Sequence, residues 1–272
     1  MSRGELGDRN TIRALEENFC SMWAQFGNGQ NCTIHRTDGA VWLDTPIPNI
    51  PYNGVLSFAA DETADTAIDR IFAHYAERHV PFFWFLHPSA RPTDLGSRLR
   101  ARGFDVAETV QGMAMDLALL PPMLEPSDGV TIEQVLGDDA TNGFLDFVAW
   151  RWAVKEDHRK QLGSIASAIG LGTRHAPTRA FVVHERGELA AKATIHVRGN
   201  VAGLYGVTTK PEFRGKGHGR LVSLCALRAA REAGARFAIL HSSPMAVSLY
   251  ESLGFAAIAP FHVFTLPNTF HI

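Results

Sequence analysis

Apolar residues recur at two different spacings in the first part of the chain. Helical spacing predicts helices over 11–26 and 64–79 and a shorter one over 93–102. Short apolar runs bounded by turn residues predict five strand regions: 32–36, 40–44, 54–58, 81–86, and a strand pair over 104–117 that bends near Gly112. The first part of the chain therefore contains both strands and helices.

A similar order of elements follows residue 130. Strands are predicted over 130–134, 179–184, 189–197, 201–209, 236–241, 256–259 and 262–266. Helices are predicted over 141–171, as one or two segments, over 217–233, and around Tyr250. Strands and helices mixed in this way predict an α/β fold with a mixed sheet (α+β mixed sheet).

The segment 121–129, which reads PPMLEPSDG, interrupts both spacings. Prolines and glycine in such a run end regular structure, which is typical of a linker. We therefore expect two domains, residues 1–120 and residues 130–272, joined by 121–129.

The two halves also share short sequence features. Leu-His-x-Ser occurs at 86–89 and at 240–243, and each half continues through a short helix to Gly-Phe, at 103–104 and 254–255. We interpret these features as a tandem repeat. The basic glycine-rich loop of the second half has an acidic, glycine-free counterpart near 58–62, so we expect the first half to help shape an acceptor pocket without binding a cofactor.

The basic loop links the strand at 201–209 to the helix at 217–233 and reads RGKGHG over 214–219, followed by Arg220. Glycine permits positive φ and lets a ligand approach the backbone closely. Free amides and the dipole at a helix N-terminus attract anions. The spacing matches neither G-x-x-x-x-G-K-[ST] nor G-x-G-x-x-G. The loop predicts a phosphate or pyrophosphate cradle, with a flexible turn that binds no ligand as the alternative.

The pattern V-x-T-x-P-x-x-R-G-x-G-x-G over 207–219 resembles the acyl-CoA loop of the GNAT superfamily of N-acetyltransferases. Further on, AVSLYESLGF at 246–255 resembles the A-x-x-L-Y-x-x-x-G-F helix and turn of the same family. The resemblance covers about 130–266. It implies a GNAT fold, here as two GNAT-like domains in tandem with a degenerate first domain, and acetyl-CoA as co-substrate.

The resemblance also implies which residues hold the cofactor. Loop amides would bind the pyrophosphate, the end of the strand would pair with the pantetheine arm, and Ser243 stands where the family often has asparagine. The cofactor-binding residues are expected to be Val207, Thr208, Thr209, Arg214, Gly215, Lys216, Gly217, His218, Gly219, Arg220 and Ser243.

Tyr250 is the expected catalytic residue, because a phenol with a pKa near 10 can protonate a departing thiolate. The alternative is that its ring only packs against the cofactor or the core. The general base is not identified, since the strand 201–209 contains no acid. His241 and Tyr205 are the weaker candidates for this base. The polar run 156–158 could recognise a cationic substrate, with a solvated helix face as the alternative.

Composition excludes several classes of protein. A net charge of −2 argues against a nucleic-acid partner. No apolar run approaches the ~20 residues that span a membrane, and the N-terminus lacks the apolar region of a signal peptide. The three cysteines and twelve histidines match no metal-ligand spacing. We therefore expect a cytoplasmic, metal-free monomer or homodimer.

These observations predict an N-acetyltransferase that moves an acetyl group from acetyl-CoA to a primary amine of a small molecule by direct attack. An amino-acid derivative, a polyamine or an antibiotic would be a suitable acceptor. Two alternatives stay open: a protein or peptide amine as the acceptor, and a non-catalytic acyl-CoA-binding module.

Overall fold

The structure, a computed structural model, describes residues 9–37, 39–123, 125–267 and 269. Residues 1–8, on which the signal-peptide expectation partly rests, lie outside this part. The strands are β1 Thr33–Thr37, β2 Ala40–Asp44, β3 Gly54–Phe58, β4 Phe83–Leu86, β5 Asp105–Asp116, β6 Val130–Gln134, β7 Thr178–Glu185, β8 Glu188–Arg198, β9 Val201–Thr209, β10 Phe237–Ser242 and β11 Ala256–Thr265. The α-helices are α1 Arg9–Ala24, α2 Ala64–Glu77, α3 Leu95–Ala101, α4 Gly137–Trp152, α5 Arg159–Ala168, α6 His218–Glu232 and α7 Val247–Ser252. Within the described residues, no helix combines the length and the hydropathy needed to cross a membrane.

The strands form one mixed sheet of eleven strands in the order β1-β2-β3-β4-β11-β5-β10-β9-β8-β7-β6. The predicted mixed α/β fold is therefore confirmed. The last strand of each half crosses to the other half: β11 pairs with β4, and β5 pairs with β10, both antiparallel. β5 and β11 also pair with each other, which makes the sheet continuous across the junction.

The strand pair predicted around Gly112 is wrong, because β5 is one uninterrupted strand of 12 residues. The two strands predicted near the C-terminus are likewise one strand, β11, with a bulge between Ala257 and Ala259. Gly112 marks a close contact instead of a bend, since a Cβ there would lie 2.5 Å from the ring of Phe261. β5 is continuous because it has a hydrogen-bonded neighbour on each side.

Helices cover both faces of the sheet, in line with the alternation of side chains along each strand. On one face, α1, α4 and α5 bury a core cluster that includes Leu43 of β2. On the other face, α2 and α3 bury a second cluster, which includes Trp42. A third cluster on that second face lies beneath α6 and α7.

Helix α1 belongs to the first half by sequence but is anchored on the sheet of the second half. Asn18 Nδ2 donates to the carbonyl oxygens of His196 and Val201, at 3.3 Å each. The hydroxyl of Tyr205 donates to Asn18 Oδ1 at 2.8 Å. Ser21 Oγ lies 2.9 Å from His196 Nε2. Buried polar groups paired in this way fix one position of α1, because each would be costly to leave without a partner.

We expect Gly203→Ala to lower the free energy of unfolding by about 1–3 kcal/mol, the usual cost of overpacking. A Cβ at Gly203 would lie 2.2 Å from Asn18 Oδ1 and 2.3 Å from the Tyr205 ring. Thermal unfolding measures the effect. Gly163→Ala on α5 is the control, since a Cβ there meets nothing within 4 Å. Equal melting temperatures for Gly203→Ala and the wild type would contradict the close packing.

Candidate active site

Strands β9 and β10 run parallel but are paired only where Val201–Gly203 faces Phe237–Ile239. Beyond this point, β9 stays bound to β8 as far as Thr209, and β10 stays bound to β5 as far as Ser242. The facing edges of the two strands therefore separate, and their backbone groups there are not paired with each other. An opening of this kind offers main-chain donors and acceptors to an extended ligand.

A bulge in β9 lies at the opening. Tyr205 faces Thr194 and Thr208 faces Lys192, so β9 carries one more residue than β8 between these pairs. Gly206 in the bulge has φ +57. A bulge redirects backbone groups away from the regular ladder. Here the carbonyl oxygen of Gly206 accepts a hydrogen bond from Lys192 Nζ at 2.7 Å.

The glycine-rich loop and the start of α6 expose a run of backbone amides. The first helical hydrogen bond runs from Leu221 N to Gly217 O, so within the described residues the amides of 215–220 find no backbone acceptor. Gly215 and Gly217 have φ +78 and +83, and a Cβ at either would meet nothing within 4 Å. The loop is thus an open concave surface of N–H groups, which suits an anion.

Most charged side chains of the loop point away from this surface. Lys216 Nζ lies 2.7 Å from Glu185 Oε1, and His218 Nε2 lies 2.6 Å from Glu185 Oε2. The hydrogen bond from Lys216, and to a smaller extent the one from His218, holds the pKa of Glu185 below its usual value. Arg220 donates to the last residue of α7. Arg214 is exposed, and its Nε contacts only the end of β9, at 3.4 Å. Backbone amides and Arg214 are therefore the groups free to bind an anion.

The remaining predicted residues lie at the end of β9, directly after β10, and on α7. Val207, Thr208 and Thr209 form the half-buried end of β9, and Ser243 directly follows β10 on the other side. Tyr250, on α7, is 7% exposed and packs its ring 5.9 Å from that of Phe255.

Burial raises the pKa of Tyr250, so its phenol stays protonated at neutral pH. Within the described residues its hydroxyl has no recorded hydrogen bond and is available to a ligand. These are the properties required of a general acid.

The opening leads to a cavity of about 290 Å³ that is lined by α1, α4, α5 and the sheet and is partly open to solvent. Tyr205 and Gly206 of β9 and His241 of β10 line it next to the point where the strands separate. Aromatic side chains from both halves line much of the rest: Phe19, Trp23, Phe26, Phe83, Phe85 and Phe144.

Lys192 is the functional candidate that the sequence reasoning missed. It lines the cavity, is 3% exposed, and places its Nζ 5.5 Å from the ring centroid of Phe144. Burial, with a smaller effect from Arg151, lowers the pKa of Lys192 to about 7. The surrounding sequence, Ala-Ala-Lys-Ala-Thr, contains one indication that Lys192 is buried. A lysine flanked by small apolar residues in a strand is unusual for an exposed position.

The other expected bases are less suitable. The hydroxyl of Tyr205 is held by Asn18, and burial raises its pKa further. Burial, then the neighbouring His87, lowers the pKa of His241 to about 3, which leaves it a weak base. Neither ring nitrogen of His241 has a hydrogen-bond partner within the described residues. The run 156–158, which the sequence offered for recognition of a cationic substrate and not as a base, does not line the cavity.

The first half has a similar opening, where a side chain of this protein binds. β3 and β4 are parallel and paired only at Gly54–Val55 with Phe83–Trp84. Glu16 of α1 accepts hydrogen bonds there from the backbone amide of Ser89, at 3.1 Å, and from its hydroxyl. Ser89 is the counterpart of Ser243, so an internal carboxylate binds at this place in the first half, beside a cavity of about 710 Å³ that Glu16 and Ser89 line.

Comparison with known proteins agrees with this geometry. Residues 144–255 match the model of the acetyltransferase (GNAT) family. The chain carries a GNAT domain. No curated protein sequence matches the chain significantly.

Solved structures share the GNAT fold over nearly the whole chain. A GCN5-related N-acetyltransferase from Kribbella flavida superposes with a TM-score of 0.68 at 19% identity, over 94% of this chain and 96% of that one. A tandem GNAT protein from the clavulanic acid biosynthesis pathway gives a TM-score of 0.59 at 14% identity, over 95% of each chain. At such identities the likeness shows the fold, and it includes the tandem arrangement. The GNAT family match itself implies acyl transfer from acetyl-CoA.

We expect Lys192→Met to stabilise the protein more at pH 7 than at pH 9.5. The unfolded lysine keeps its proton up to about pH 10.5, whereas the folded one loses it near pH 7, so wild-type stability rises with pH between these values. The advantage of the variant should shrink by about 1.4 kcal/mol per pH unit.

Chemical denaturation at the two pH values measures this difference. Lys160→Met on the exposed surface of α5 serves as the control. Parallel pH profiles for the wild type and Lys192→Met would contradict the burial of a titrating amine.

Proposed function

We propose that this protein is an N-acetyltransferase that transfers an acetyl group from acetyl-CoA to a primary amine of a small molecule by direct attack. One observation carries the proposal: the opening between β9 and β10 joins an exposed amide cradle to an apolar cavity. A cofactor held at the cradle and extended along the opening would present its far end to the cavity.

The residues of the loop and strand fit this co-substrate. The free amides of 215–220 and the guanidinium of Arg214 would hold the pyrophosphate. The unpaired edge at 207–209 would bind the amide groups of the pantetheine arm, with Ser243 across the opening. Acetyl-CoA supplies an acetyl group activated as a thioester. The side chains of Lys216, His218 and Arg220 would position the loop without touching the ligand.

Two residues are suited to the proton transfers. An amine attacks in its neutral form and must lose a proton as the amide forms. The Nζ of Lys192 lies at the polar end of the cavity and is neutral in a large fraction of molecules near pH 7, so it can accept that proton. The hydroxyl of Tyr250 would donate a proton to the departing sulfur.

The cavity favours a small molecule over a protein or peptide amine, because its volume is only about 290 Å³ and side chains of α1, α4 and α5 line it. Lys192 and Tyr250 favour an enzyme over a non-catalytic acyl-CoA-binding module. We further propose residues 1–120 as the degenerate unit and 130–272 as the acetyl-CoA-binding unit. The three cysteines are free thiols, which supports a cytoplasmic protein that acts as a monomer or homodimer.

We expect Gly217→Val to weaken acetyl-CoA binding roughly tenfold or more, because the side chain would enter the cradle and distort its amides. Titration calorimetry measures the dissociation constant. Gly234→Val is the matched control: Gly234 has φ +93 and equally open space, but lies just beyond the other end of α6. Equal affinity of the two variants would remove the loop from the binding site.

We expect Tyr250→Phe to lower kcat about 100-fold or more while leaving the acetyl-CoA dissociation constant within about twofold. The hydroxyl has no protein partner within the described residues, so its loss should not disturb packing. Release of free CoA thiol measures turnover. Unchanged kcat would show that Tyr250 only packs against its neighbours.

A further inference from the structure

We propose that the cavity between the two halves is the acceptor site and that it takes a monoamine with an apolar body, either a single aromatic ring or a short branched alkyl chain. This inference rests on the proposed acetyl transfer and narrows its substrate. It sets aside polyamines and polyhydroxylated amino-sugar antibiotics, which are also small-molecule amines.

The lining of the cavity supports an apolar body. Ring faces and aliphatic side chains from α1, α4, α5, β4 and β11 surround it, and polar atoms are confined to a few positions. A hydroxylated or multiply charged body would leave polar groups without partners among these side chains, at a cost of a few kcal/mol for each neutral group and more for each charge. An aromatic or branched alkyl body would instead gain from every surface it buries.

The charges around the cavity support a single amine. Glu108 is the one carboxylate among the described residues that line it, and Arg151 is close enough to oppose the effect of burial on its pKa. Lys192 is the other charged side chain of the lining, and Arg151 nearby is basic as well. A second ammonium group would have only Glu108 as a carboxylate partner in the described lining, and both basic groups would repel it. One amine next to Lys192 Nζ, in its neutral form, avoids this repulsion.

The volume favours a small acceptor. At about 290 Å³, the cavity lies just below the range of about 300–1,000 Å³ that is usual for small-molecule sites. One ring with a short aminoalkyl chain fits this space, whereas a molecule of two or three sugar rings does not.

An alternative occupant is a long acyl chain attached to CoA. The polar end of the cavity argues against it, because Lys192 and the unpartnered ring nitrogens of His241 lie beside the opening, where the first carbons of such a chain would pass. An amine can form hydrogen bonds with these polar atoms, whereas an alkyl chain would leave them without partners.

The test measures CoA release with acetyl-CoA and four amines: 2-phenylethylamine, 3-methylbutylamine, spermidine and kanamycin. We expect kcat/KM for the two apolar monoamines to exceed that for the other two at least 100-fold. Calorimetry of acetyl-CoA alone is run in parallel. Absence of acetyl-CoA binding would overturn the proposed function itself. With binding intact, a preference for spermidine or kanamycin would overturn only the present inference.

A cavity-filling variant locates the acceptor. Ala166 of α5 lines the cavity and is buried, and Ser167 next to it is exposed. Ala166→Leu should lower kcat/KM for 2-phenylethylamine roughly tenfold or more, the usual effect of a methylene-scale change in an apolar pocket, with acetyl-CoA affinity unchanged. Ser167→Leu should match the wild type in both respects. Thermal unfolding establishes that both variants fold.

Two further results would overturn the inference. The first is a higher turnover with octanoyl-CoA than with acetyl-CoA, together with a loss of activity in Ala166→Leu that affects only the octanoyl reaction. The second is a lack of both turnover and calorimetric binding of 2-phenylethylamine and 3-methylbutylamine in the presence of CoA.

Discussion

The parallel pair of β9 and β10 holds for three residues and then opens, and every functional group of the site is placed relative to this opening. Each strand is held apart from the other by a stronger partner: β8 along the bulged end of β9, and β5 along β10. The open ends lead outward to the amide cradle at 215–220 and inward to the cavity beside Lys192. A fully paired β9–β10 ladder would leave room for neither.

Helix α1 makes different contacts at the two openings of the molecule. In the second half it forms a wall of the cavity, anchored through Asn18 to the backbone of β8 and β9. In the first half its Glu16 accepts hydrogen bonds from Ser89, at a position equivalent to the cofactor side of the other opening.

The sequence was informative wherever a property is local. The loop at 214–219 and the short helix of Tyr250 were predictable, because glycine conformation, helix N-termini and turn spacing depend on neighbouring residues. Properties that depend on distant pairing were not predictable. Lys216 and His218 read as ligands for an anion until Glu185, some 31 residues away from Lys216, is seen to bind both. From the sequence, Lys192 was only one residue of a predicted hairpin. Its burial depends on α4 and on the bulge in β9, and the residues next to Lys192 indicate neither of them.

The exchange of β5 and β11 makes the two repeats inseparable. A cut at 121–129 would leave the second repeat with β10 as an open edge and with β11 deprived of both its neighbours, and unpaired strand edges recruit other chains. Neither half can therefore keep the sheet edges that it has in this protein without the other, so a substitution that unfolds the first half also removes a strand from the neighbourhood of β10 and both partners of β11.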